Sequence, residues 1–221
     1  MKELKALFFI YKPQGIAKAL LVVLRVIILP YKKIDKIVPP IGTIVDIGCG
    51  NGALTNYLYL RSPKRIMKGI DLSKNRISIA IKSVKSRKNI EFIYGDAISF
   101  KLPRVDCYLI VDVLHHIPFQ DQEKLLKFLS KSLGSKSILI IKEVDKSNQI
   151  SYFFSNLIEK VLYPREQIYT RSKHAWIKLF KSLGFSTAIK SGVSYFPDST
   201  KIFVLSKKTK NRDLLVEPEG N

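Results

Sequence analysis

Apolar and polar residues alternate along the middle of the chain in a way that predicts strands separated by helices. Between residues 43 and 144, short runs of Ile, Val and Leu end at or beside an acidic residue, and segments of helical periodicity separate them. Runs that are apolar on both faces are typical of buried parallel strands. The predicted strands are Thr43–Ile47, Arg65–Asp71, Ile90–Ala97, Asp106–Asp112 and Lys136–Val144. This order predicts an α/β fold with a parallel sheet covered by helices on both faces.

Residues 1–40 form a separate apolar and basic segment. Its central part, Ala17–Leu29, has the pattern of a helix that is apolar nearly all round and stops at Pro30. Such a helix must be buried or lie against lipid. Two interpretations therefore stay open: the helix packs over the sheet and its pocket, or it lies on a membrane surface. In the second case, anionic headgroups would face the basic residues Lys12, Lys18, Arg25, Lys32, Lys33 and Lys36.

The last third of the chain carries a different pattern. Residues 151–183 are helix-rich and aromatic, and we interpret them as an insert in a single domain that spans residues 41–206. Two strand-like runs, Thr187–Tyr195 and Lys201–Ser206, flank a Pro-Asp pair and predict an antiparallel hairpin. Residues 207–221 are polar and charged, so we expect a flexible tail there.

A glycine-rich turn follows the first predicted strand. Gly48, Gly50 and Gly52 have the spacing G-x-G-x-G, which differs from the G-x-G-x-x-G of dinucleotide folds, and no Lys-Ser/Thr pair of a phosphate loop follows them. Glycines suit a tight turn with positive φ and a close approach of a ligand. Asp71 ends the second strand 25 residues beyond Asp46, the distance at which an acid meets ribose hydroxyls in nucleotide sites. The sequence therefore predicts a nucleotide-type site at the carboxyl ends of the strands.

Composition adds a strong positive charge and few cysteines. The formal net charge is +20, which reflects either a lysine-rich composition or an anionic partner such as nucleic acid, a membrane or an acidic substrate. Cys49 and Cys107 have no metal-ligand spacing, so we expect no metal and a reducing cytoplasm. The run Ile16–Leu29 is interrupted by Lys18 and Arg25 and is too short to span a bilayer. No signal peptide is evident, so membrane contact would be peripheral.

Four segments, in this order along the chain, resemble class I S-adenosylmethionine-dependent methyltransferases: Asp46–Gly52, Gly69–Ser73, Gly95–Ala97 and Asp112–Ile117. The resemblance is close over residues 41–145 and extends to residue 206. It implies a Rossmann-like three-layer sandwich whose seven-stranded sheet is mostly parallel with an antiparallel last strand. It also implies S-adenosyl-L-methionine as the cofactor.

The resemblance assigns cofactor contacts to residues at four strand ends. In the family, the glycine turn passes beneath the methionine part of the cofactor, and the acid matching Asp46 supports that turn and the ammonium group. Asp71 matches the acid that binds the ribose, and Asp96 matches the acid that binds the adenine amine. The full expected set is Asp46, Gly48, Cys49, Gly50, Asn51, Gly52, Asp71, Leu72, Asp96, Ala97, Asp112 and Val113.

Three residues are candidates for acid–base chemistry. A sulfonium leaves without an acid, so a base is needed only when the attacking group must lose a proton. His115 and His116 follow the fourth strand, and a histidine can titrate near neutral pH. Glu143, at the end of the fifth strand, is a second candidate. Two alternatives stay open: one histidine is structural, and Glu143 is the partner of a lysine.

Missing patterns narrow the acceptor. No Asn/Asp-Pro-Pro-Tyr follows the fourth strand and no catalytic cysteine pair is present, which argues against methylation of DNA bases. The aromatic insert and the apolar N-terminal helix favour a small or lipid-like acceptor under an apolar lid. We therefore expect a methyltransferase for such an acceptor, acting in the cytoplasm and at a membrane surface. An RNA methyltransferase, based on net charge alone, and a non-catalytic cofactor-binding protein are the alternatives.

Overall fold

The computed structural model describes residues 1–85, 87–100, 105–145, 167–191 and 200–208. Seven strands within these ranges form one sheet in the order β3-β2-β1-β4-β5-β7-β6. β1 to β5 are parallel to one another, whereas β7 is antiparallel to both of its neighbours, β5 and β6. The predicted sheet with an antiparallel last strand is confirmed. The strands are β1 (Gly42–Ile47), β2 (Arg65–Asp71), β3 (Ile90–Tyr94), β4 (Cys107–Val111), β5 (Ile138–Val144), β6 (Phe185–Ser191) and β7 (Thr200–Lys207).

Helices cover both faces of the sheet. One apolar cluster contains Leu7, Val22 and Ile77 from the helices that precede β3, and it packs against side chains such as Ile44 on β1. The other contains Leu126 from the helix after β4 and aromatic residues from the helix before β6. Adjacent strand residues alternate between the two clusters, as a pleated strand requires. The helices are α1 (Lys2–Tyr11), α2 (Ile16–Ile28), α3 (Tyr31–Ile37), α4 (Ala53–Arg61), α5 (Lys74–Val84), α6 (Phe119–Ser132) and α7 (Lys173–Ser182).

Several predicted boundaries differ from the structure by one to four residues. β3 ends at Tyr94 instead of Ala97, because Gly95 has φ of 151° and Asp96 then accepts a hydrogen bond from the Ile98 amide to begin a short 3-10 turn. The hairpin strands are Phe185–Ser191 and Thr200–Lys207, paired as predicted. Its Pro-Asp turn, residues 151–166 of the predicted insert and the tail from 209 onward lie outside the described residues.

The N-terminal helix α2 is neither fully buried nor free of the domain. One side of α2, with Ala19, Val22 and Val26, is buried in the core. The opposite side exposes large apolar side chains, including Leu20 and Leu24. In the described part of the chain, no helix is long and apolar enough to cross a membrane.

Candidate active site

The glycine turn sits at the carboxyl end of β1 and needs glycine for two reasons. Gly48, Gly50 and Gly52 have φ of 72°, 56° and 79°, a region that L side chains rarely adopt. A Cβ atom on Gly48 would also overlap the side chain of Val113. The amides of Gly48 and Cys49 donate to the carbonyl of Ile70, at 2.7 and 3.1 Å. The turn is thus tied to β2 and lies in contact with the loop after β4.

Asp71 at the end of β2 holds this turn directly. Its two carboxylate oxygens accept hydrogen bonds from the amides of Gly50 and Ser73, both at 2.8 Å. An ionised carboxylate can accept about four hydrogen bonds, so acceptor capacity remains for ribose hydroxyls. The next residue, Leu72, which the family resemblance assigns to the adenine, is 67% exposed and offers an apolar surface.

Asp46 is the most deeply buried acid of the turn. Thr55 on α4 donates a hydrogen bond of 2.5 Å to its Oδ2 atom. The pKa of Asp46 is raised to about 7: burial is the main cause, the negative charge of Asp71 adds to it, and the Thr55 hydrogen bond partly opposes it. A nearby positive charge would reverse this shift, because it favours the carboxylate. Asp46 is therefore suited to face a cationic group.

Asp112, directly after β4, adopts a strained backbone conformation. Its φ is 57°, unusual for a residue other than glycine. Its Oδ1 atom lies 2.6 Å from Nζ of the buried Lys142 on β5, and its amide donates to the Lys142 carbonyl. Burial would raise the pKa of Asp112, but the charges of Lys142 and His115 outweigh it and hold this pKa below its usual range. The ion pair fixes the point where the chain leaves β4.

Glu143 holds the histidine turn that follows. Its Oε1 atom accepts hydrogen bonds from the amides of Val113 (3.1 Å) and Leu114 (2.7 Å), and its Oε2 atom lies 2.6 Å from His115 Nδ1. A carboxylate only accepts, so the Nδ1 atom carries the proton. Glu143 and His115 are 1% and 2% exposed. His116 is only partly buried, with its ring centroid 4.1 Å from that of His115.

The sequence reasoning missed the partners that complete this turn. Gln122 on α6 is fully buried, and its Nε2 atom lies within 3.1 Å of the carbonyls of Leu114, Ile117 and Tyr169. Arg171 donates to the Gln122 Oε1 atom at 2.9 Å, so its guanidinium is hydrogen-bonded within the protein instead of facing open solvent. One signal was available in the sequence: Gln122 lies on the apolar stripe of α6, where a polar residue needs buried partners.

Most of the predicted site residues meet at one edge of the sheet. The glycine turn, Asp46, Asp71, Asp112, Val113, His115 and Glu143 are linked by the contacts described above. Asp96 is exposed and its Oδ1 atom accepts the Ile98 amide, while Ala97 is buried. Within the described residues, no group of three or more His, Cys, Asp or Glu side chains is placed to hold a metal ion.

The residues present fit S-adenosylmethionine. At Gly50 the nearest atom to an added Cβ would be the Cδ atom of Arg76, 4.0 Å away. A cofactor can therefore approach the backbone of the turn at this point. The acidic side chains of Asp46 and Asp71 flank the turn, which suits a ligand with an ammonium group and ribose hydroxyls.

Comparison with known proteins agrees with this geometry. Residues 44–135 match the family model described as a methyltransferase domain. The cephaeline 6'-O-methyltransferase of Carapichea ipecacuanha is 30% identical over 154 residues, which cover 65% of this chain and 41% of that protein. The probable inactive O-methyltransferase 11 of Dictyostelium discoideum is 27% identical over 143 residues, which cover 65% of this chain and 42% of that protein.

Among solved structures, the pyocyanin biosynthetic protein PhzM superposes with a TM-score of 0.70 at 17% identity, covering 90% of this chain and 61% of that one. This likeness concerns the fold alone. The chain spans less than half the length of the two curated relatives. Residues 44–135, within the seven-stranded sheet, are a class I S-adenosylmethionine-dependent methyltransferase domain. S-adenosyl-L-methionine is the cofactor of that class.

Proposed function

We propose that this protein transfers a methyl group from S-adenosylmethionine to a hydroxyl of a small, apolar or lipid-like acceptor at the surface of an anionic membrane. The main structural support for this proposal is that the glycine turn, two acidic strand ends and the histidine turn meet at one edge of the sheet. The family match and relatives named as O-methyltransferases support the reaction class and the oxygen nucleophile.

Bound S-adenosylmethionine would supply an electrophilic methyl group on a sulfonium. Asp71 would bind the ribose hydroxyls, and Asp46 would face the ammonium group. His116 would take the proton from the acceptor hydroxyl, because it is the more accessible of the two histidines after β4 and a neutral imidazole is a good base near pH 7. Glu143 and His115 would act as positioning residues, since their contacts hold the backbone of the turn.

The histidine assignment can be tested with a matched pair of variants. His116→Gln should lower the rate of methyl transfer by about 10²- to 10⁴-fold, the usual contribution of a general base, and leave cofactor affinity unchanged. His174→Gln alters an exposed histidine on α7 and should change neither. Transfer can be followed by product mass, with a panel of phenols and hydroxylated amphiphiles as acceptors. Equal rates for both variants would overturn the role of His116.

The membrane part of the proposal is supported by the exposed side of α2. With about 100° per residue, its exposed apolar residues fall on one continuous arc, and Lys18 and Arg25 border that arc. Monomeric proteins rarely expose such a patch without using it, and the basic border favours an anionic lipid surface. We call this the α2 face: Ile16, Leu20, Leu21, Leu24, Ile27 and Ile28.

Arg25, at the border of the α2 face, has a charge that acts on a residue of the site. The positive charge of Arg25 lowers the pKa of both Tyr31 and Asp112, although burial raises the pKa of Tyr31 overall and Lys142 acts more strongly on Asp112. A charge on α2 thus acts on the strand end where the methyl group is expected.

Vesicle sedimentation tests the membrane contact. Vesicles with anionic phosphatidylglycerol should bind the protein, added salt should weaken the binding, and pure phosphatidylcholine should bind it less. Leu20→Ser with Leu24→Ser should reduce binding at least about tenfold, given the apolar area lost. The control is Ile41→Ser, which changes an exposed apolar residue outside the face. Binding that changes with neither the lipid charge nor the double substitution would overturn the proposed membrane contact.

Two outcomes would instead favour the alternatives. Steeply salt-dependent binding of RNA, unaffected by the α2 double substitution, would favour an RNA acceptor. Cofactor binding without turnover of any acceptor would place the protein with non-catalytic relatives, such as the one named as probably inactive.

A further inference from the structure

A buried polar network joins the N-terminal segment to the glycine turn. Tyr11, the last residue of α1, is fully buried, and its hydroxyl donates a hydrogen bond of 2.7 Å to the carbonyl of Asn51. The same hydroxyl accepts a hydrogen bond of 2.9 Å from the Asn56 side chain. A helix outside the methyltransferase match thus contacts the backbone of the turn.

Asn56 and Ser83 complete the network from the other side. The Asn56 Nδ2 atom lies 2.8 Å from both the Gly52 carbonyl and the Ser83 Oγ atom. Ser83 in turn donates to the Ala80 carbonyl on α5. Both side chains are fully buried. The Asn56 Oδ1 atom is buried without a partner among the described residues, but the Nδ2 atom and both hydroxyls are satisfied within the network, which favours one arrangement of these groups.

The glycine turn is consequently held from two sides. Asp71 accepts from the Gly50 amide, and Tyr11 donates to the carbonyl of the next residue, Asn51. Glycine-rich backbone loses more conformational entropy than other backbone when it is ordered. A turn that is ordered in advance does not have to be ordered by the ligand, which favours binding.

We propose that Tyr11 is a positioning residue of the cofactor site, and that the N-terminal helix α1 orders the glycine turn before the cofactor binds. Tyr11 acts through the Asn51 carbonyl and need not touch the cofactor. This role concerns the cofactor site only, so it holds whatever the acceptor is and whether or not the α2 face binds lipid.

Tyr11→Phe removes the hydroxyl and keeps the ring. We expect it to weaken the binding of S-adenosylhomocysteine, measured by calorimetry, about tenfold, because the partly buried Asn51 carbonyl loses its hydrogen-bond donor. The matched control is Tyr57→Phe. Tyr57 is also buried, and in the described part of the chain its hydroxyl has no hydrogen-bond partner. This control should bind the ligand like the unaltered protein.

Hydrogen exchange separates positioning from general stability. In the ligand-free protein, Tyr11→Phe should speed exchange of the Gly52 amide, which donates to the Cys49 carbonyl within the turn. Amides in the centre of β4 should keep their protection. If Tyr11→Phe does not fold, Ser83→Ala loosens the same network from α5 and should show a smaller shift in both readouts. Unchanged affinity and exchange in a folded variant would overturn the proposal.

Discussion

Two regions of this molecule depart from the usual rule of apolar inside and polar outside, and they do so in opposite directions. At the carboxyl ends of β4 and β5, the charged side chains of Lys142 and Glu143 are buried. On α2, large apolar side chains such as Leu20 and Leu21 are more than half exposed. The first region has polar residues where a core is expected, and the second has apolar residues where solvent is expected.

The difference lies in how each region is satisfied. Lys142 pairs with Asp112, and Glu143 binds His115 and two backbone amides, so the buried polar groups find partners within the chain. The α2 face has no equivalent cover among the described residues. The polar cluster is satisfied within the chain, whereas the exposed apolar face is the surface that we propose contacts a membrane. The comparison predicts large stability losses in the first region and small ones in the second.

The largest effect is expected at Glu143. Glu143→Ala leaves two buried amides and His115 without their acceptor and should lower the free energy of unfolding by about 3–5 kcal/mol. Glu123→Ala, which removes a 53% exposed partner of Arg171, should cost less than about 1 kcal/mol. Urea denaturation of both variants measures the contrast. Similar losses would mean that burial is not what makes the Glu143 cluster important.

Gly48→Ala should have the next largest effect. Alanine at positive φ costs roughly 1–2 kcal/mol, and its Cβ would also overlap Val113, adding about 1–3 kcal/mol. Gly184→Ala provides the control, because Gly184 has φ of 81° with nothing within 4 Å of an added Cβ. Only Gly48→Ala should weaken cofactor binding. Equal stability losses would show that the Val113 side chain can move away from the added Cβ at little cost.

Cofactor affinity should depend on pH through Asp46, whose pKa is about 7 in the free protein. A bound ammonium group favours the carboxylate, so binding releases a proton below pH 7 and affinity falls about tenfold from pH 8 to pH 6. Calorimetry in buffers of different ionisation enthalpy counts the proton. Asp46→Asn should remove this part of the pH dependence, and an unchanged profile would contradict the assignment.

The same raised pKa affects folding. Asp46 is protonated in the folded protein below pH 7, but its pKa in the unfolded chain is near 4. The contribution of Asp46 to the free energy of unfolding is therefore fully present below pH 4 and is lost as the pH rises through 7. The free energy of unfolding of Asp46→Asn, minus that of the unaltered protein, should therefore increase as the pH rises from 4 to 7.

The smallest effect is expected on the α2 face. Leu24→Ser should change the free energy of unfolding by no more than about 0.5 kcal/mol, as for most surface substitutions. Val22→Ala, two residues away but fully buried, should cost about 2 kcal/mol for the buried carbon atoms removed. Thermal unfolding of the two variants measures this. A large loss in Leu24→Ser would mean that the domain itself covers this face.

Several features could be predicted from the sequence because they follow from short-range rules. The apolar runs defined the strands of the parallel sheet, and the glycine spacing defined the turn. Boundaries were less certain: β3 stops early, because Gly95 and Asp96 form their own turn. The burial of α2 on one side only could not be predicted, because its sequence is apolar nearly all round.

The site shows the same division. The acids at strand ends were identified from their positions and from the family resemblance, since parallel strands bring their carboxyl ends to one edge. The residues that hold these acids and the neighbouring turns were not identified, because Lys142, Gln122 and Tyr11 are far from their partners in sequence and carry no motif. In the sequence, Lys142 is not distinguishable from the other lysines of a chain of net charge +20. Only its burial beside Asp112 gives it a specific role.

By itself, the sequence determined the fold class, the glycine turn and the acids around it, because periodicity and local backbone chemistry depend on neighbouring residues. Only the tertiary structure decided which side of α2 is buried, which histidine is held by Glu143, and that Tyr11 holds the glycine turn. These features depend on contacts between residues separated by up to 40 positions. Such contacts are set by packing, which a single sequence does not encode locally.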